Sequence, residues 1–376
     1  MVLLSGPNIS GNEWKYVKEC LDTGWVSSVG SFVDQFEKMT AAFAGTKYAI
    51  ATSSGTTALH TCLMLQGIGT GDYVIAPNIT FVATCNSIKY TGADPILIDT
   101  DPDTWQMDLT LLEEFLNTET RQKDGVSVLK KDGKRIAAIM PVHVLGNMCD
   151  MDRLLDLAKK YHLIVIEDST EALGSYYKDQ HAGSFGIMGT FSYNGNKIIT
   201  TGGGGMIVTN DETLAKKAKH LTTQAKSDAF EYIHDEIGYN YRLVNVAAAM
   251  GVAQMEQLPG FIERKKQIIS FYKQALENVG DIRFQQVSDE VNPNWWMPTI
   301  KTGKQREILK LLNEKKLQSR PFWVPMNQLR MFGDNLYFHR NNCSDFVYKH
   351  CLSIPCSTNI SEQELEEVAK TIKSAF

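Results

Sequence analysis

The sequence lacks the cysteine patterns of secreted or zinc-binding proteins. Its seven cysteines are an odd number and contain no C-x-x-C spacing. This argues against a disulfide framework and against a metal site, and it favours reduced thiols in a cytoplasm. The apolar run Met1–Leu4 is too short for a signal peptide, because Ser5-Gly6-Pro7 interrupts it. We therefore expect a cytoplasmic protein without a metal ion.

The chain also has no apolar run of membrane-span length, no basic block, no internal repeat and no low-complexity tract. Its net charge is −5, which argues against nucleic acid and anionic membranes as main partners. With 376 residues, 43% hydrophobic and 22% charged, it has the composition of an ordinary globular protein of about two domains.

One lysine stands out because of the residues around it. Lys197 lies in a run of small and polar residues that begins at Thr190, and Gly202 to Gly205 follow shortly after it. Most lysines are solvated surface charges. Glycines, however, let a backbone pass close to a flat ligand, and lysine is the residue that forms Schiff bases with pyridoxal phosphate. We hypothesise that Lys197 binds this cofactor.

A hydroxyl-rich turn precedes a predicted helix. The strand 47–51 leads into Thr52-Ser53-Ser54-Gly55-Thr56-Thr57, and residues 58–65 are helical in pattern. Free N–H groups and the helix dipole favour an anion at such a helix start. Serine and threonine there are also common as plain N-caps, so the turn alone leaves both interpretations open.

An acidic residue ends a buried strand. Residues 162–168 form a nearly continuous apolar run that finishes in Glu167-Asp168, as a central parallel strand would. Open α/β sheets bind ligands at the carboxyl ends of their strands. Asp168 could pair there with the pyridine nitrogen of the cofactor, or it could be an N-cap or a metal ligand.

The order of elements predicts an α/β fold. Strands at 73–77 and 95–99, with a helix at 80–90 between them, indicate a parallel sheet. Residues 117–135 suggest a surface hairpin. A long helical run, Asn245 to Leu276 with a kink at Pro259, bridges to a second region. There we predict strands at 281–287, 295–300 and 350–355 and helices at 304–316 and 362–376, and we interpret Trp295 and Trp296 as core residues. The expected domains are 1–255, a large α/β domain, and 256–376, a smaller α+β domain, on which the N-terminal helix could also pack.

The order of these motifs resembles the DegT/StrS-type sugar-nucleotide aminotransferases, which are fold-type I pyridoxal phosphate enzymes. The resemblance covers nearly the whole chain, and the set of motifs is specific although each one alone is weak. The matching stretches are Ser54–His60, Pro77–Thr84, Pro141–His143, Glu167-Asp168, Phe191–Lys197, Thr201–Gly205 and Gly238–Arg242.

The resemblance implies a role for each matching residue. Lys197 would bind the cofactor and shuttle protons, and Asp168 would face the pyridine nitrogen. Glu171 would lie near the ring hydroxyl, where the family more often has Gln or His. Thr56, Thr57 and Ser192 would hold the phosphate, and Phe81 would stack on the ring. Asn240 or Arg242 would reach the phosphate region of a partner subunit, so the enzyme should be a homodimer with cofactor sites at its interface. Relatives that remove a sugar hydroxyl carry histidine at the lysine position, and this chain does not.

The resemblance also implies a reaction, in which L-glutamate gives its amino group to a keto-sugar nucleotide. Four stretches are similar to the branch that aminates carbon 4 of UDP-linked 4-keto-6-deoxy-N-acetylhexosamines for bacillosamine- or legionaminic-acid-type surface glycans. They are Asn194–Lys197, the Gly24–Ser28 loop, the 117–135 hairpin and residues 234–240. The alternative acceptor is a GDP- or dTDP-linked keto-deoxysugar of the perosamine type. The Thr23–Gly30 loop is either a substrate lid or a plain connection. Candidate substrate contacts are Trp25, Ser28, Phe322 and Trp323.

Two other classes of protein are alternatives to an aminotransferase. A dinucleotide-binding oxidoreductase is suggested by the glycine run, but its glycines should open a helix, whereas these precede a predicted strand. A regulatory family member without catalysis is disfavoured, because Lys197 and Asp168 are both present.

Overall fold

The computed structural model describes residues 1–228 and 230–376. These residues form eleven α-helices and two short 3-10 helices, the latter at Val144–Gly146 and Met326–Gln328. The α-helices are α1 Glu13–Thr23, α2 Ser31–Ala44, α3 Gly55–Leu65, α4 Ala83–Tyr90, α5 Leu109–Glu119, α6 Met151–Lys160, α7 Glu212–Thr222, α8 Asn245–Ala275, α9 Gln305–Glu314, α10 Cys343–His350 and α11 Glu362–Lys373.

The strands of the described residues form one large sheet and several small ones. In chain order the strands are β1 Tyr48–Thr52, β2 Tyr73–Pro77, β3 Asp94–Ile98, β4 Thr120–Lys123, β5 Val126–Leu129, β6 Ile136–Ile139, β7 Ile164–Asp168, β8 Tyr176–Tyr177, β9 Gln180–His181, β10 Met188–Ser192, β11 Gly205–Thr209, β12 Lys226–Asp228, β13 Ile233–His234, β14 Arg283–Phe284, β15 Val291–Asn292, β16 Thr299–Lys301, β17 Arg320–Pro321, β18 Tyr337–Phe338 and β19 Cys351–Ser353.

The large sheet has eight strands in the order β1-β11-β10-β7-β6-β2-β3-β18. The pairs from β10 through β18 are parallel, whereas β11 runs antiparallel to both β1 and β10. The carboxyl ends of β2, β7 and β10 therefore lie at one edge of the sheet. This edge carries Asp168 at the end of β7 and Ser192 at the end of β10.

Helices cover both faces of this sheet because its strands are apolar on both sides. Ile75 and Ile96 pack on one face in a cluster with Leu112 of α5 and Leu154 of α6. Their neighbours Val74 and Leu97 pack on the other face in a cluster with helices α3, α4 and α7. The structure confirms the predicted α/β class with a mostly parallel sheet and helices on both faces.

The C-terminal region builds a separate core around a four-stranded antiparallel sheet, β14-β16-β19-β17. Helices α9 and α11 and the second half of α8 contribute to this cluster, and Leu4 joins it from the beginning of the sequence. Helices α1 and α2 pack instead against the first half of α8. Two features connect the regions before and after residue 255: α8 continues through this residue, and β18 pairs with β3 of the large sheet. The domain boundary at 255/256 remains a proposal.

Most predicted elements occur within a few residues of their expected positions, including the hairpin β4–β5 inside 117–135. The strand expected at 295–300 is shorter, Thr299–Lys301. The reason is that Trp295 adopts a left-handed φ of 52° and the Trp296 N–H donates to the Asn294 side chain, so the backbone turns there. The strand expected at 281–287 shrinks to Arg283–Phe284. No helix among the residues 1–228 and 230–376 is long and apolar enough to span a membrane.

Candidate active site

A cavity of about 330 Å³ opens at the carboxyl edge of the large sheet. Its wall combines the end of β10, the start of α3 and the segment after β7 with residues from the C-terminal region. The residues that line it include Leu4, Gly55, Thr56, Phe81, Leu145, Thr170, Glu171, Ser192, Asn196, Lys197, Trp296, Arg320, Phe322 and Trp323.

Lys197 is the buried amine of this cavity. Its side chain is 12% exposed, and its Nζ lies 3.7 Å from Glu171 Oε1. The same Nζ lies 4.1 Å from the centroid of the Trp296 ring. Burial lowers the pKa of Lys197, while the carboxylates of Glu171 and Asp168 oppose that shift. A lowered pKa makes the neutral, nucleophilic amine more accessible than at an exposed lysine.

Glu171 faces Lys197 from the segment that follows β7. Its Oε2 accepts a hydrogen bond of 2.8 Å from the Leu145 N–H. Burial raises the pKa of Glu171 to about 7, with the nearby lysine acting in the opposite direction. The carboxyl group can therefore carry or release a proton near neutral pH, where its partner is an amine.

Asp168 is held by two hydroxyl groups. Thr84 Oγ1 donates to Asp168 Oδ2 and Thr170 Oγ1 donates to Asp168 Oδ1, both at 2.7 Å. The Thr170 N–H also donates to Oδ1, at 3.2 Å. These bonds fix the orientation of a carboxylate that is only 3% exposed.

The start of α3 forms a cradle for an anion. Ser54 and Thr57 make a capping box, in which each side chain bonds the backbone of the other. The N–H groups of Gly55 and Thr56 remain in the first turn, where a helix offers them no acceptor. A Cβ on Gly55 would lie 3.0 Å from both Ser192 Cβ and Thr170 Cγ2, so the small residue lets these three segments meet.

The structure brings nine predicted residues together and leaves others apart. Thr56, Phe81, Glu171, Ser192, Lys197, Phe322 and Trp323 line the cavity, Asp168 lies directly behind Thr170, and Thr57 supports the α3 turn through its capping box. Phe81 keeps 54% of its surface exposed, which leaves one ring face available.

Four predicted residues are not part of this wall. Trp25 is 58% exposed, and its carbonyl accepts a bond from Asn245. Ser28 lies in the same loop, next to Ser27, whose carbonyl binds the Asn245 N–H. Asn240 and Arg242 form backbone bridges with Thr223 and Thr52, respectively. Their side chains therefore remain candidates only for contacts outside the cavity of a single chain.

Sequence reasoning missed several residues of the site. Trp296 was expected in the core; it is indeed 3% exposed, but it also forms a wall of the cavity. Arg320 and Leu145 line the cavity as well. These residues lie far from Lys197 in the sequence, and no local pattern marks them.

The arrangement fits pyridoxal phosphate. It offers a buried amine, a fixed carboxylate, an anion cradle at a helix N-terminus and a half-exposed aromatic ring. The glycines 202–205 lead into β11 and do not open a helix, which argues against the dinucleotide-binding alternative. Within residues 1–228 and 230–376, one group of side chains has metal-ligand spacing, His220 with Asp235 and Glu236, and it is partly exposed and outside the cavity.

The comparison with protein families identifies the class to which this fold and site belong. Residues 7–373 match the DegT/DnrJ/EryC1/StrS aminotransferase family, and the chain belongs to this family. It is therefore an aminotransferase, and pyridoxal phosphate is the cofactor of its family.

Individual relatives extend over nearly the whole chain. The chain is 38% identical to a GDP-perosamine synthase of Escherichia coli O157:H7, covering 98% of this chain and 97% of the relative. It is 37% identical to the putative pyridoxal phosphate-dependent aminotransferase EpsN of Bacillus subtilis, covering 100% and 96%. The crystal structure of S. venezuelae DesV in complex with a ketimine intermediate superposes with a TM-score of 0.87 at 25% identity, covering 97% and 94%.

Proposed function

We propose that this protein transfers the amino group of L-glutamate to a GDP-linked keto-deoxysugar of the perosamine type. The observation that carries the transfer chemistry is the buried Lys197 amine, which lies in the cavity beside the Glu171 carboxyl group and near the charge of Asp168. When bound, pyridoxal phosphate supplies the carbonyl that takes up the donor's amino group and an electron-withdrawing ring.

Each residue has a part in this proposal. Lys197 binds the cofactor, its amine takes the proton from the α-carbon of the donor, and in the second half it supplies a proton to the sugar carbon that receives the amino group. Asp168, held by Thr84 and Thr170, faces the ring nitrogen. Thr56, Ser192 and the free N–H groups at the start of α3 hold the phosphate, with Thr57 shaping that turn. Phe81 stacks on the ring, and Glu171 lies near its hydroxyl.

The acceptor differs from the one that the sequence motifs favoured. They indicated a UDP-linked 4-keto-6-deoxy-N-acetylhexosamine, whereas the E. coli relative that matches 98% of this chain is named for a GDP-linked product. The alternative acceptor of the sequence analysis is thus the better supported one. Perosamine carries its amino group on carbon 4, so transfer to carbon 4 is common to both hypotheses. The opposite wall of the cavity, with Phe322 and Trp323, is where we place the sugar.

We further propose a homodimer in which the partner subunit completes each cofactor site. Asn240 and Arg242 do not line the cavity of their own chain, although the resemblance gives them a phosphate role. Close to them in the sequence, Ile237 is 84% exposed and offers an apolar side chain that a partner subunit would cover.

A half-reaction assay tests the donor and the acceptor separately. The purified protein is loaded with pyridoxal phosphate, and the visible absorbance band of the lysine-bound cofactor is recorded before and after L-glutamate. We expect the band to bleach with glutamate and to return when a GDP-linked 4-keto-6-deoxyhexose is added. The Lys197→Ala variant should show no such band.

The choice of nucleotide is tested by offering three acceptors at equal concentration. The GDP-, UDP- and dTDP-linked 4-keto-6-deoxy sugars are compared by the rate at which each restores the band and by the mass of the aminated product. Faster turnover of the UDP-linked N-acetyl sugar would restore the hypothesis from the motifs and reject the GDP proposal. A folded protein whose band does not respond to glutamate would reject the donor.

A further inference from the structure

Trp296 touches Lys197 in two ways. The face of its indole lies 4.1 Å from Lys197 Nζ, measured to the ring centroid. Its Nε1–H donates a hydrogen bond of 2.7 Å to the Asn196 carbonyl, which belongs to the peptide bond that joins Asn196 to Lys197. One side chain from the C-terminal region thus holds both the backbone and the amine of the lysine.

The backbone of Trp296 is held by hydrogen bonds on both of its polar groups. Its N–H donates to Asn294 Oδ1 at 2.8 Å, and its carbonyl accepts 2.8 Å from the buried ammonium of Lys265. Asn294 also donates, at 2.9 Å, to the backbone carbonyl of Glu171, the other neighbour of the lysine amine. The ring and the carboxyl group therefore keep a fixed spacing, and Lys197 Nζ lies between them.

We propose that Trp296 is a positioning residue that, together with Glu171, forms the resting place of the Lys197 ammonium group whenever this lysine is not bonded to the cofactor. A lysine that binds a cofactor must be released during each transfer and must return to the same place. An aromatic face stabilises a cation without accepting its proton. It can therefore hold the charged amine while leaving the proton free to move to or from Glu171.

Several groups besides Trp296 act on the protonation of the Lys197 amine. Glu171 and Asp168 both favour the protonated form of Lys197, while burial favours the neutral form. Arg320, a further cation, lines the same cavity. Removal of the indole face takes away one stabilising contact of the cation, so the pKa of Lys197 should fall.

The test uses the cofactor-free protein, so that it does not depend on turnover. Competitive labelling with acetic anhydride over a range of pH, followed by mass spectrometry of the peptide that contains Lys197, gives the pKa of this one amine. We expect the pKa in Trp296→Leu to be lower by about 0.5 to 1 than in the wild type. In Trp296→Phe the change should be smaller, because a phenyl face remains.

The neighbouring tryptophan provides a matched control. The ring of Trp295 lies 4.5 Å from the Nζ of Lys273, outside the cavity. The Trp295→Leu variant also loses a contact between an indole face and a lysine amine, but at Lys273 and not at Lys197. It should lower the pKa of Lys273 and leave that of Lys197 unchanged.

The outcomes separate positioning from packing. A purely structural role would lower the unfolding midpoint of Trp296→Leu but leave the midpoint pH of Lys197 labelling unchanged, and this result would overturn the proposal. Easier access of the reagent changes the maximal labelling rate but not the midpoint pH. If Trp296→Leu does not fold, Trp296→Met takes its place, because methionine is a flexible apolar side chain without an aromatic face. An unchanged Lys197 pKa in that variant would also contradict the proposal.

The inference rests on Lys197 being the cofactor lysine, as proposed above, yet the two can fail separately. If the holoenzyme shows no glutamate-sensitive absorbance, the proposed function fails whatever the labelling shows. If the absorbance responds while the pKa of Lys197 is the same in all variants, only the role of Trp296 fails. In the active holoenzyme, we expect Trp296→Phe to lower kcat more than it raises KM for glutamate, since the residue contacts the lysine and not the donor.

Discussion

At Glu171, two effects act on one carboxyl group in opposite directions. Burial raises its pKa to about 7, while Lys197 favours its charged form. The Leu145 N–H donates to its Oε2 at 2.8 Å. In the folded chain the group therefore ionises at a higher pH than a glutamate in water does, and this difference makes stability depend on pH.

We predict that Glu171→Gln removes a pH-dependent loss of stability. Below pH 4.5 the carboxyl is protonated in both the folded and the unfolded state, so its ionisation does not change the free energy of unfolding. Between pH 4.5 and 7 the unfolded chain ionises freely and the folded chain resists. As the pH rises through this window, the free energy of unfolding of the wild type should therefore fall by up to about 3 kcal/mol relative to that of the variant. Above pH 7 the difference should stay constant.

Urea unfolding of the cofactor-free proteins at several pH values measures this difference. The exposed Glu263 provides a control, because Glu263→Gln should follow the wild type at every pH. Equal pH profiles for wild type and Glu171→Gln would show that the buried carboxyl does not titrate in this window.

Single residues of the candidate site could be predicted from the sequence only where their sequence neighbours were informative. Lys197 and Asp168 were found because small residues, glycines and a strand end surround them in the sequence. Asp168 was placed at the carboxyl end of a strand, and the structure has it at the end of β7, near enough to Lys197 for its charge to act on the amine. The roles of both residues remain predictions. Trp296 gave no such signal, because its role comes from a contact with a residue 100 positions away. The residues proposed for substrate binding remain predictions.

Among the elements, α3 and β11 are joined by an unusually close approach. An ideal Cβ on Gly205, the first residue of β11, would lie 2.3 Å from the Ser54 carbonyl oxygen and 2.6 Å from the Gly55 nitrogen. Real side chains do not come so close to backbone atoms. The glycine therefore allows the strand to support the start of α3, where we place the phosphate.

We predict that Gly205→Ala destabilises the protein by about 1–3 kcal/mol and weakens cofactor retention, because the methyl group forces the α3 turn away. Gly195→Ala is the matched control, since a Cβ there meets nothing within 4 Å although Gly195 is only two residues from Lys197. Thermal unfolding and the Kd for pyridoxal phosphate would be measured for both. Wild-type affinity in Gly205→Ala would show that the turn tolerates the shift.

The elements were predicted well where they are long and periodic, and less well in the C-terminal region. The helix Asn245–Leu276 and the strands 73–77 and 95–99 were placed to within one residue. The short strand β18 was not predicted, because its two residues pair with β3 of a sheet formed mostly by a distant part of the chain. Two residues carry too little pattern to mark such a pairing.

At the scale of the whole molecule, one group of exposed apolar side chains lies in and after the hairpin β12–β13. Phe230 is 88% exposed, Tyr232 70% and Ile237 84%. Such surface is expected to associate, and the nearby Asn240 and Arg242 are the residues that the resemblance directs to a partner subunit. Sequence alone pointed to the dimer only through this resemblance.

We predict that Ile237→Glu shifts the protein from dimer to monomer, since a buried charge at the interface costs free energy without a partner. Light scattering after size-exclusion chromatography measures the mass. Cofactor retention should fall together with dimer content, if the partner completes the site. Met331→Glu, an equally apolar exposed site in the C-terminal region, should leave both unchanged. A wild type that is monomeric with bound cofactor would contradict this prediction.

The carbonyl oxygen of Asn196 receives hydrogen bonds from two directions along the chain. Ser5 Oγ donates to it from 191 residues earlier at 2.9 Å, and Trp296 Nε1 donates from 100 residues later at 2.7 Å. During synthesis on the ribosome, the large sheet can begin to form while the second of these donors has not yet been made. Lys197 therefore acquires its final surroundings late, and a nascent chain released before Trp296 would carry this lysine without the indole that contacts its amine.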